Sequence, residues 1–400
     1  MSRDGKINEN LKLFLQLLLI FAVSRGVMAG VYLVYKYAFG DTWGFPDIFG
    51  RWDSVYYERI TTDFYTWPAP GDPQADWAFF PLYPLLCRGI MIITFWKLPV
   101  FYVCMGVSNV CVFIASFFAV KLVRYMGLTS GEKDRTYFKG VAADGLMVAW
   151  LLMLAPFTVY FATAYSESLF VLLIVLSFFF MKKDRFVAAG ITAALAGATR
   201  SLGVVLIIPL IMEMYWHFRE EKRLGNEKGL FITGIFKKPS RLFSLVIVPA
   251  GIFSYMLYLY HLTGDAWAFK NVQIAWREGE HFPIVGVLWD FCTGFYSGEA
   301  ELRYMIIGWI CIAALIFYVW MFFAGLRTEA VFGILMLLIP LTSHVMSTPR
   351  FIAGSFVMWI GWYVALQRLP RGLKYVFTVA GVAASVFLIG GWMGGSVAMI

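Results

Sequence analysis

Long apolar segments recur along the whole chain, and they restrict its fold more than any other feature. They begin at Leu11 and continue to the C-terminal region; 60% of the 400 residues are hydrophobic and only 14% are charged. Backbone N–H and C=O groups find no water in the hydrocarbon core of a membrane, so such segments must satisfy their hydrogen bonds internally as helices. The alternating pattern of a membrane β-barrel is absent. The sequence therefore predicts an all-α polytopic bundle that forms one integral membrane domain over residues 1–400.

Eleven segments are candidate spans, since a helix needs about 20 residues to cross the hydrocarbon core. They are 11–35, 100–122, 141–161, 166–181, 186–199, 201–217, 242–262, 303–324, 329–346, 350–367 and 374–393. The segment 79–98 is also apolar, but Pro81, Pro84 and Arg88 argue against a simple span. We expect a broken, re-entrant or interfacial helix there.

Basic residues orient the predicted bundle. The loops at 121–139 and 217–241 contain five and seven Lys or Arg residues, which is typical of cytoplasmic loops. The loops at 36–78 and 263–302 contain more acids than bases and are predicted to lie outside, with the N-terminus inside and the C-terminus outside. Residues 36–98 then form a large first extracytoplasmic loop that ends in the non-spanning helix. The net charge of +8 reflects these loops and gives no indication of nucleic-acid binding.

The His and Cys residues do not indicate a metal or redox site. The four His are scattered, and the five Cys form no CxxC pair. No Gly-rich phosphate loop of the Walker or GxGxxG type is present. We therefore expect no obligatory nucleotide or other cofactor. A divalent metal held between an acid and a substrate phosphate stays an open alternative, which no ligand cluster supports.

Charged residues within or beside the apolar segments are the functional candidates, since charge at membrane depth is costly. The predicted topology brings most of them to one level, at the extracytoplasmic face. They are Arg25 in the first span, Asp53 in the first loop, Glu167 in AYSESLF, Arg200 in GATRSLG and Arg350 in STPRF. Asp144, near the predicted cytoplasmic side, is expected to be structural.

Each candidate also has a simpler structural explanation. An Arg at a helix end can extend to the headgroups, and Ser166 or Glu167 can cap the helix that follows. The FFPLYP segment at 79–84 fits a kinked interfacial belt. Asp53 fits a solvated loop acid, although the neighbouring Trp52 and two Tyr residues favour a sugar-binding or interface surface.

Five short motifs follow one another along the chain: RWD at 51–53, FFPLYP at 79–84, AYSESLF at 164–170, TRSLG at 199–203 and PRF at 349–351. In this order they resemble the PIG-V family of multi-pass mannosyltransferases. That family belongs to the GT-C class and to glycosyltransferase family 76, and it includes GPI mannosyltransferase 2 and bacterial relatives. The resemblance covers roughly residues 20–365. The residues after RWD and within TRSLG depart from the commoner family pattern. These departures bear on the identity of the acceptor more than on the type of reaction.

The resemblance implies inverting transfer of mannose from a polyprenyl- or dolichyl-phosphate-mannose donor to a glycolipid or glycan acceptor. A carboxylate can take the proton of an attacking hydroxyl, and Asp53 is the expected general base. Arginine forks suit phosphate oxygens, so the expected donor-phosphate ligands are Arg200, Arg350 and Arg25. The predicted sugar and acceptor contacts are Arg51, Trp52, Tyr56, Tyr57, Phe80, Pro81, Tyr165, Ser166 and Glu167.

The compact chain resembles the bacterial relatives, which implies the plasma membrane and an extracytoplasmic site. In eukaryotic relatives the site faces the lumen of the endoplasmic reticulum, and the product carries the second mannose of the GPI core. Two other functions stay open: a GT-C transferase for another lipid-linked sugar, and a lipid-linked sugar flippase or transporter. A transporter would place its charges near the bilayer midplane on broken helices, whereas these are predicted at one face.

Overall fold

The computed structural model describes residues 3–40, 43–65, 76–130, 145–272, 284–293, 295–296, 299–300, 302–342 and 347–395. Within these ranges the elements are helical apart from one antiparallel pair of two-residue strands, β1 (Phe295–Tyr296) and β2 (Glu299–Ala300). The predicted all-α class is therefore confirmed. Asp144 and part of the basic loop at 121–139 lie outside the described residues.

The α-helices of the described residues are, in chain order, α1 (Arg3–Phe39), α2 (Phe45–Phe49), α3 (Asp53–Asp63), α4 (Leu82–Ile93), α5 (Val100–Ser130), α6 (Leu146–Leu154), α7 (Glu167–Lys182), α8 (Phe186–Thr199), α9 (Ile207–Arg223), α10 (Phe231–Lys237), α11 (Pro239–Ile247), α12 (Ala250–Thr263), α13 (Ala268–Asn271), α14 (Ile284–Thr293), α15 (Leu302–Phe323), α16 (Arg327–Leu341), α17 (Thr348–Gly354), α18 (Val357–Arg368) and α19 (Arg371–Met393). Short 3-10 helices cover Asp76–Ala78, Thr158–Phe161 and Ser201–Leu206.

Six helical segments in the described part of the chain are long and apolar enough to cross a membrane. They are Asn8–Phe39, Val100–Gly127, Ser201–Arg223, Pro239–Thr263, Tyr304–Phe323 and Arg371–Met393. Each coincides with one of the eleven predicted spans, so an integral membrane protein is confirmed. The other five predicted spans correspond to shorter helices, among them α7 with 16 residues and α8 with 14. The number of eleven spans stays a prediction.

The short helix α7 lies in the interior of the bundle, with α8 packed against it. Nearly every residue of α7 is buried, and the helix packs against α5 and α8. A helix that is apolar all round is typical of a buried position. On its other side α8 meets α12 so closely that a Cβ at Gly251 would lie 1.7 Å from the Ala194 carbonyl oxygen. Small residues that let backbones approach are typical of membrane helix packing.

The apolar segment 79–98 forms the amphipathic helix α4, which has only 12 residues. At about 1.5 Å per residue, a helix of this length reaches roughly 18 Å, against a hydrocarbon core of about 30 Å. Tyr83 and Cys87 are buried on one face, whereas Leu85 and Ile93 are exposed. That this segment does not span the membrane stays a prediction, as does its side of the membrane.

A buried ion cluster joins α7, α9 and α16 at the C-terminal end of α7. Lys182 Nζ lies 2.6 Å from Glu213 Oε1 and 2.8 Å from Glu329 Oε1. All three side chains are at least 95% buried. Glu167 begins α7 and Lys182 ends it, so the cluster lies about 22 Å along the helix from Glu167.

Candidate active site

Asp53 is the first residue of α3, and the backbone that leads to it is strained. Trp52 has φ 54° and ψ −117°, a conformation that residues other than glycine rarely adopt, at a cost of about 1–3 kcal/mol. The start of a helix favours a carboxylate because of its free N–H groups and its dipole. At the other end of α3, Arg88 donates to the carbonyls of Thr61 and Thr62 at 2.8 and 2.6 Å. The helix is thus held at its end and presents Asp53 at its start.

Arg350, in α17, connects two acids from distant parts of the chain. Its Nη1 atom lies 2.7 Å from Asp53 Oδ2, and its Nε atom lies 2.7 Å from Glu167 Oε1. The Nε–H bond is not aligned for a hydrogen bond, so the second contact is mainly electrostatic. The side chains of Arg350, Asp53 and Glu167 are 9%, 17% and 3% exposed. One guanidinium therefore contacts two largely buried carboxylates.

Glu167 is the first residue of α7 and also contacts a second arginine. Arg200, the C-cap residue of α8, forms an ion pair with Glu167 Oε1 and lies 3.5 Å from Ser166 Oγ. Ser166 Oγ also hydrogen-bonds the Tyr57 hydroxyl at 2.6 Å. A continuous polar network therefore joins α3, α7, α8 and α17. We call these contacts the Arg350 network.

The Arg350 network has no formal net charge, because two carboxylates face two guanidiniums. Removing one partner of such a buried pair is costly, because it leaves an uncompensated charge. A bound anion would therefore give the site a net negative charge unless one of the acids takes up a proton. The site is therefore suited to a reaction in which an acid loses its charge as a bound anion gains one.

Several buried polar atoms beside the Arg350 network lack a hydrogen-bond partner within the described residues. They are Ser54 Oγ, Thr163 Oγ1, Glu167 Oε2 and Arg350 Nε. Buried polar atoms are nearly always hydrogen-bonded, and each exception needs an explanation. Glu329 Oε1 of the Lys182 cluster shares this property, so such atoms accompany both ion clusters and do not by themselves identify a ligand site.

Aromatic rings lie under both arginines. The guanidinium of Arg350 is 5.7 Å from the Tyr160 ring centre and 5.5 Å from that of Tyr165. Arg200 lies 5.1 Å from the ring centre of Phe351. Such cation–π contacts hold a guanidinium in place without using its N–H groups. Neither Tyr160 nor Phe351 was predicted as a site residue. Phe351 belongs to the PRF motif, whereas nothing in the sequence distinguishes Tyr160 from the many other aromatics of this chain.

The predicted sugar-binding aromatics differ in access. Three of them are buried: Tyr57, Tyr165 and Phe80. Trp52 and Tyr56 are partly exposed, and the Tyr56 ring stacks on Phe79 at 4.6 Å between ring centres. The guanidinium of Arg59 also lies 4.9 Å from the Tyr56 ring centre, so part of the Tyr56 ring is already covered in this conformation. Pro81, the N-cap residue of α4, is also partly exposed.

The structure does not bring Arg25 into the Arg350 network. Arg25 donates through Nε to Asn109 Oδ1 at 2.5 Å and lies over the Phe21 ring. Asn109 in turn donates to the carbonyl of Ala162, which precedes the Tyr165 turn. Within the described residues, no hydrogen bond or ion pair joins Arg25 to either acid of the network. Its role as a phosphate ligand stays a prediction.

Arg51 hydrogen-bonds the end of the C-terminal helix α19. Its Nη1 donates to the carbonyl oxygens of Trp392 and Met393 at 3.4 and 2.9 Å. The backbone carbonyl of Arg51 accepts from the Tyr165 hydroxyl at 3.2 Å. Trp392 itself was not predicted, because a Trp at the end of a span is usual at membrane interfaces. In this conformation Arg51 holds the loop that carries Asp53 against α19.

Glu58 is a further acid on α3. The side chain is partly exposed, and burial raises the pKa of its carboxyl from 4.5 to about 7. The Glu58 carboxylate lies close to Gly50: a Cβ added at Gly50 would lie 3.3 Å from Glu58 Oε1. Burial also raises the pKa of Tyr57. An acid that titrates near neutrality can exchange a proton at working pH, so Glu58 is the second candidate base on this helix.

The helical bundle and the buried network of acids and arginines define an integral membrane protein with a polar site. The chain belongs to the PIG-V mannosyltransferase family: the family model described as Mannosyltransferase (PIG-V) matches residues 31–304. The matched region contains Asp53, Glu167 and Arg200, whereas Arg350 and Trp392 lie beyond it. A search of curated proteins finds no match.

Two solved structures match this chain along most of its length, with TM-scores below 0.5. One is the oligosaccharyltransferase of Archaeoglobus fulgidus in the apo form, with 13% identity, a TM-score of 0.47 and coverage of 94% of this chain and 56% of that chain. The other is the archaeal oligosaccharyltransferase AglB from Archaeoglobus fulgidus in complex with an inhibitory peptide and a dolichol-phosphate, with 11% identity, a TM-score of 0.45 and coverage of 93% and 56%. The chain thus spans about half the length of these two proteins.

Proposed function

We propose that this protein transfers mannose from a polyprenyl- or dolichyl-phosphate-mannose donor to a hydroxyl of a glycolipid or glycan. The observation that carries the proposal is the contact of Arg350 with both Asp53 and Glu167. Family membership supports the sugar, and the apolar bundle suits a donor whose isoprenoid tail stays in the bilayer. We place the reaction on the extracytoplasmic face, in the plasma membrane if the protein is bacterial. The GPI core is the acceptor expected for eukaryotic relatives.

Asp53 is the proposed general base. A sugar hydroxyl is a weak nucleophile, and a carboxylate within hydrogen-bond reach takes its proton as the new C–O bond forms. Asp53 is the more exposed of the two acids in the Arg350 network, and it follows the partly exposed Trp52 in the chain. Attack on the anomeric carbon from the side opposite the phosphate gives inversion.

Arg350 and Arg200 are the proposed ligands of the leaving phosphate. The donor carries a phosphodiester with one negative charge, and the product is a lipid phosphate monoester with one more. Asp53 loses its charge when it accepts the acceptor proton, so the total charge of site and substrates stays constant. Arg350 is then free to turn from Asp53 to the developing phosphate charge, to which its fork binds in two places. The proton on Asp53 passes afterwards to the monoester or to water.

Glu167 keeps the two arginines together in this scheme. Its Oε1 atom contacts both guanidiniums, while Oε2 is buried and has no hydrogen-bond partner within the described residues. That free oxygen suits a hydroxyl of the transferred sugar. Glu167 is therefore proposed to orient the donor rather than to accept the proton.

No obligatory metal takes part in the proposed reaction, because Arg350 supplies the positive charge between the two acids. No group of three or more His, Cys, Asp or Glu residues suited to a metal is present in the described ranges. The alternative is a divalent ion held between Asp53 and the phosphate. Transfer that is lost on dialysis against EDTA and restored by Mg²⁺ or Mn²⁺ would establish that alternative.

The test is transfer by the purified protein in proteoliposomes, with mannosyl-phosphoryl-polyprenol as donor and a lipid extract as acceptor, followed by mass spectrometry. We expect a mannosylated product from the wild type and a loss of about 10²–10⁴ in rate for Asp53→Asn. Asp63→Asn, at the exposed end of the same helix, is the matched control. Asp53→Asn with a normal rate contradicts the role of Asp53 and directs attention to Glu58.

The two alternative functions give different results in the same vesicles. A transferase for another sugar is inactive with the mannosyl donor and active with a glucosyl or arabinosyl lipid phosphate. A flippase moves the labelled donor across the bilayer without forming a product. Either result would replace the mannosyltransferase proposal for this chain.

A further inference from the structure

We infer that Trp392, at the end of the last helix, is a positioning residue that holds Asp53 in place for the reaction. The catalytic part of this inference rests on the proposed function. Trp392 is fully buried, and it lies outside the region that the family model matches. It does not contact either acid of the Arg350 network by a hydrogen bond or ion pair within the described residues, and it acts through the residues around them.

Trp392 packs against the three rings that surround the Asp53–Arg350 pair. Its ring centre lies 4.5 Å from that of Trp52, 5.3 Å from Tyr160 and 5.6 Å from Tyr165, each in an edge-to-face arrangement. Trp52 immediately precedes Asp53, and the two tyrosines lie under the guanidinium of Arg350. One indole therefore supports the acid and its basic partner together.

The indole N–H and the helix end hold the same loop by polar contacts. Trp392 Nε1 donates to the carbonyl of Ile48 at 3.0 Å. Arg51 donates to the carbonyls at the end of α19, where the negative end of the helix dipole favours a cation. The loop that leads to Asp53 is thus attached to α19 through the Trp392 side chain and through the carbonyls of Trp392 and Met393.

The strained backbone at Trp52 explains why such support is needed. Its positive φ is maintained only if the surrounding structure over-determines it, and the ring of Trp392 is its edge-to-face neighbour at 4.5 Å. The first hydrogen bonds of α3 depend on this turn, since the amides of Ser54 and Val55 donate to the carbonyls of Arg51 and Trp52 at 3.2 Å. Without Trp392 the turn can relax, and Asp53 then moves relative to Arg350.

The test compares Trp392→Ala and Trp392→Phe with Phe387→Ala. Phe387 lies on the same helix with 78% of its side chain exposed, which makes it a control for loss of an aromatic ring from α19. Two properties are measured: hydrogen exchange of the amides at 48–58, and kcat and KM for the mannosyl-phosphoryl-polyprenol donor. Misplacing a reacting group by about 1 Å costs roughly 10²-fold in rate.

We expect Trp392→Ala to exchange faster at 48–58 and to lose about 100-fold in kcat, with KM for the donor changed little. Trp392→Phe keeps most of the ring contacts and should recover part of kcat. In the Asp53→Asn background, Trp392→Ala should lower kcat little further, because the residue that it positions is already inactive.

Three results would overturn the inference. The first is that both Trp392 variants have the same hydrogen exchange at 48–58 and the same kcat as Phe387→Ala. Another is a general loss of thermal stability with normal kcat per folded molecule, and the third is full additivity with Asp53→Asn. If Trp392→Ala does not fold, Trp392→Phe carries the same comparison. Hydrogen exchange does not depend on the reaction. If the wild type transfers no mannose and Trp392→Ala still exchanges faster at 48–58, the proposed function is refuted and the positioning of the loop by Trp392 is supported.

Discussion

Replacing Arg350 with Lys tests whether one fork serves both acids. In the wild type, Nη1 and Nε lie 2.7 Å from Asp53 and Glu167, respectively. A Lys ammonium keeps the charge but is a compact point charge without the rigid fork. It can approach one carboxylate closely and leaves the other without its partner. The variant therefore separates the contribution of the positive charge to kcat/KM from the contribution of the guanidinium geometry.

The expected loss follows from the burial of the three groups. Losing one contact of a buried charge pair costs about 2–5 kcal/mol. Asp53 is 17% exposed and Arg350 9%, so water can solvate part of the released carboxylate. We therefore expect about 2–3 kcal/mol for Arg350→Lys, or roughly 30- to 150-fold in kcat/KM. Arg350→Ala leaves both acids against Arg200 alone, and we expect about 1,000-fold or more.

The assay is the initial rate of mannose transfer in proteoliposomes at several concentrations of mannosyl-phosphoryl-polyprenol. Thermal stability without donor is measured in parallel, so that loss of folded protein is not counted as loss of catalysis. Arg371→Lys, at the exposed start of α19, is the control for the same chemical change. Normal kcat/KM and stability in both Arg350 variants would refute the reasoning and leave Arg350 as a residue that extends to the headgroups.

Three further predictions concern other parts of the molecule. Lys182→Met leaves two buried carboxylates without their cation and should lower the free energy of unfolding by about 3–5 kcal/mol, with normal kcat/KM per folded molecule. Lys183→Met, at the exposed neighbouring position, is the control, and equal melting temperatures of the two variants would contradict a stabilising role of the Lys182 cluster. The Glu58 carboxyl has a pKa of about 7 in the native protein and 4.5 in the unfolded chain, so the free energy of unfolding should fall as pH rises from 4.5 to 7 and level off above 7. Glu58→Gln should flatten this decline, and a profile of stability against pH equal to that of the wild type would contradict the raised pKa. In intact cells an impermeant thiol reagent should label Val55→Cys and spare Asn226→Cys, both at exposed positions, and the reverse pattern would place the site on the cytoplasmic face.

The candidate site shows where prediction from sequence stops. Asp53, Glu167, Arg200 and Arg350 were all predicted as functional residues, because charge beside apolar segments is costly and therefore conspicuous. Their partners were not predictable from spacing. Arg200 and Arg350 were predicted as phosphate ligands, with Glu167 as one option for an acid that orients them, and the structure pairs both with acids. Arg25 is a residue of the same type, yet it contacts Asn109 instead.

The sequence by itself determined that the protein is a helical membrane protein of a mannosyltransferase family. Hydrophobicity along about 20 residues is a local property, and the order of short motifs is written in the chain. Tertiary structure decided which of the charged residues meet and what supports them. An ion pair depends on how helices cross at distances of a few ångströms, and an indole such as that of Trp392 becomes a support for Asp53 only when α19 packs against a loop more than 300 residues earlier.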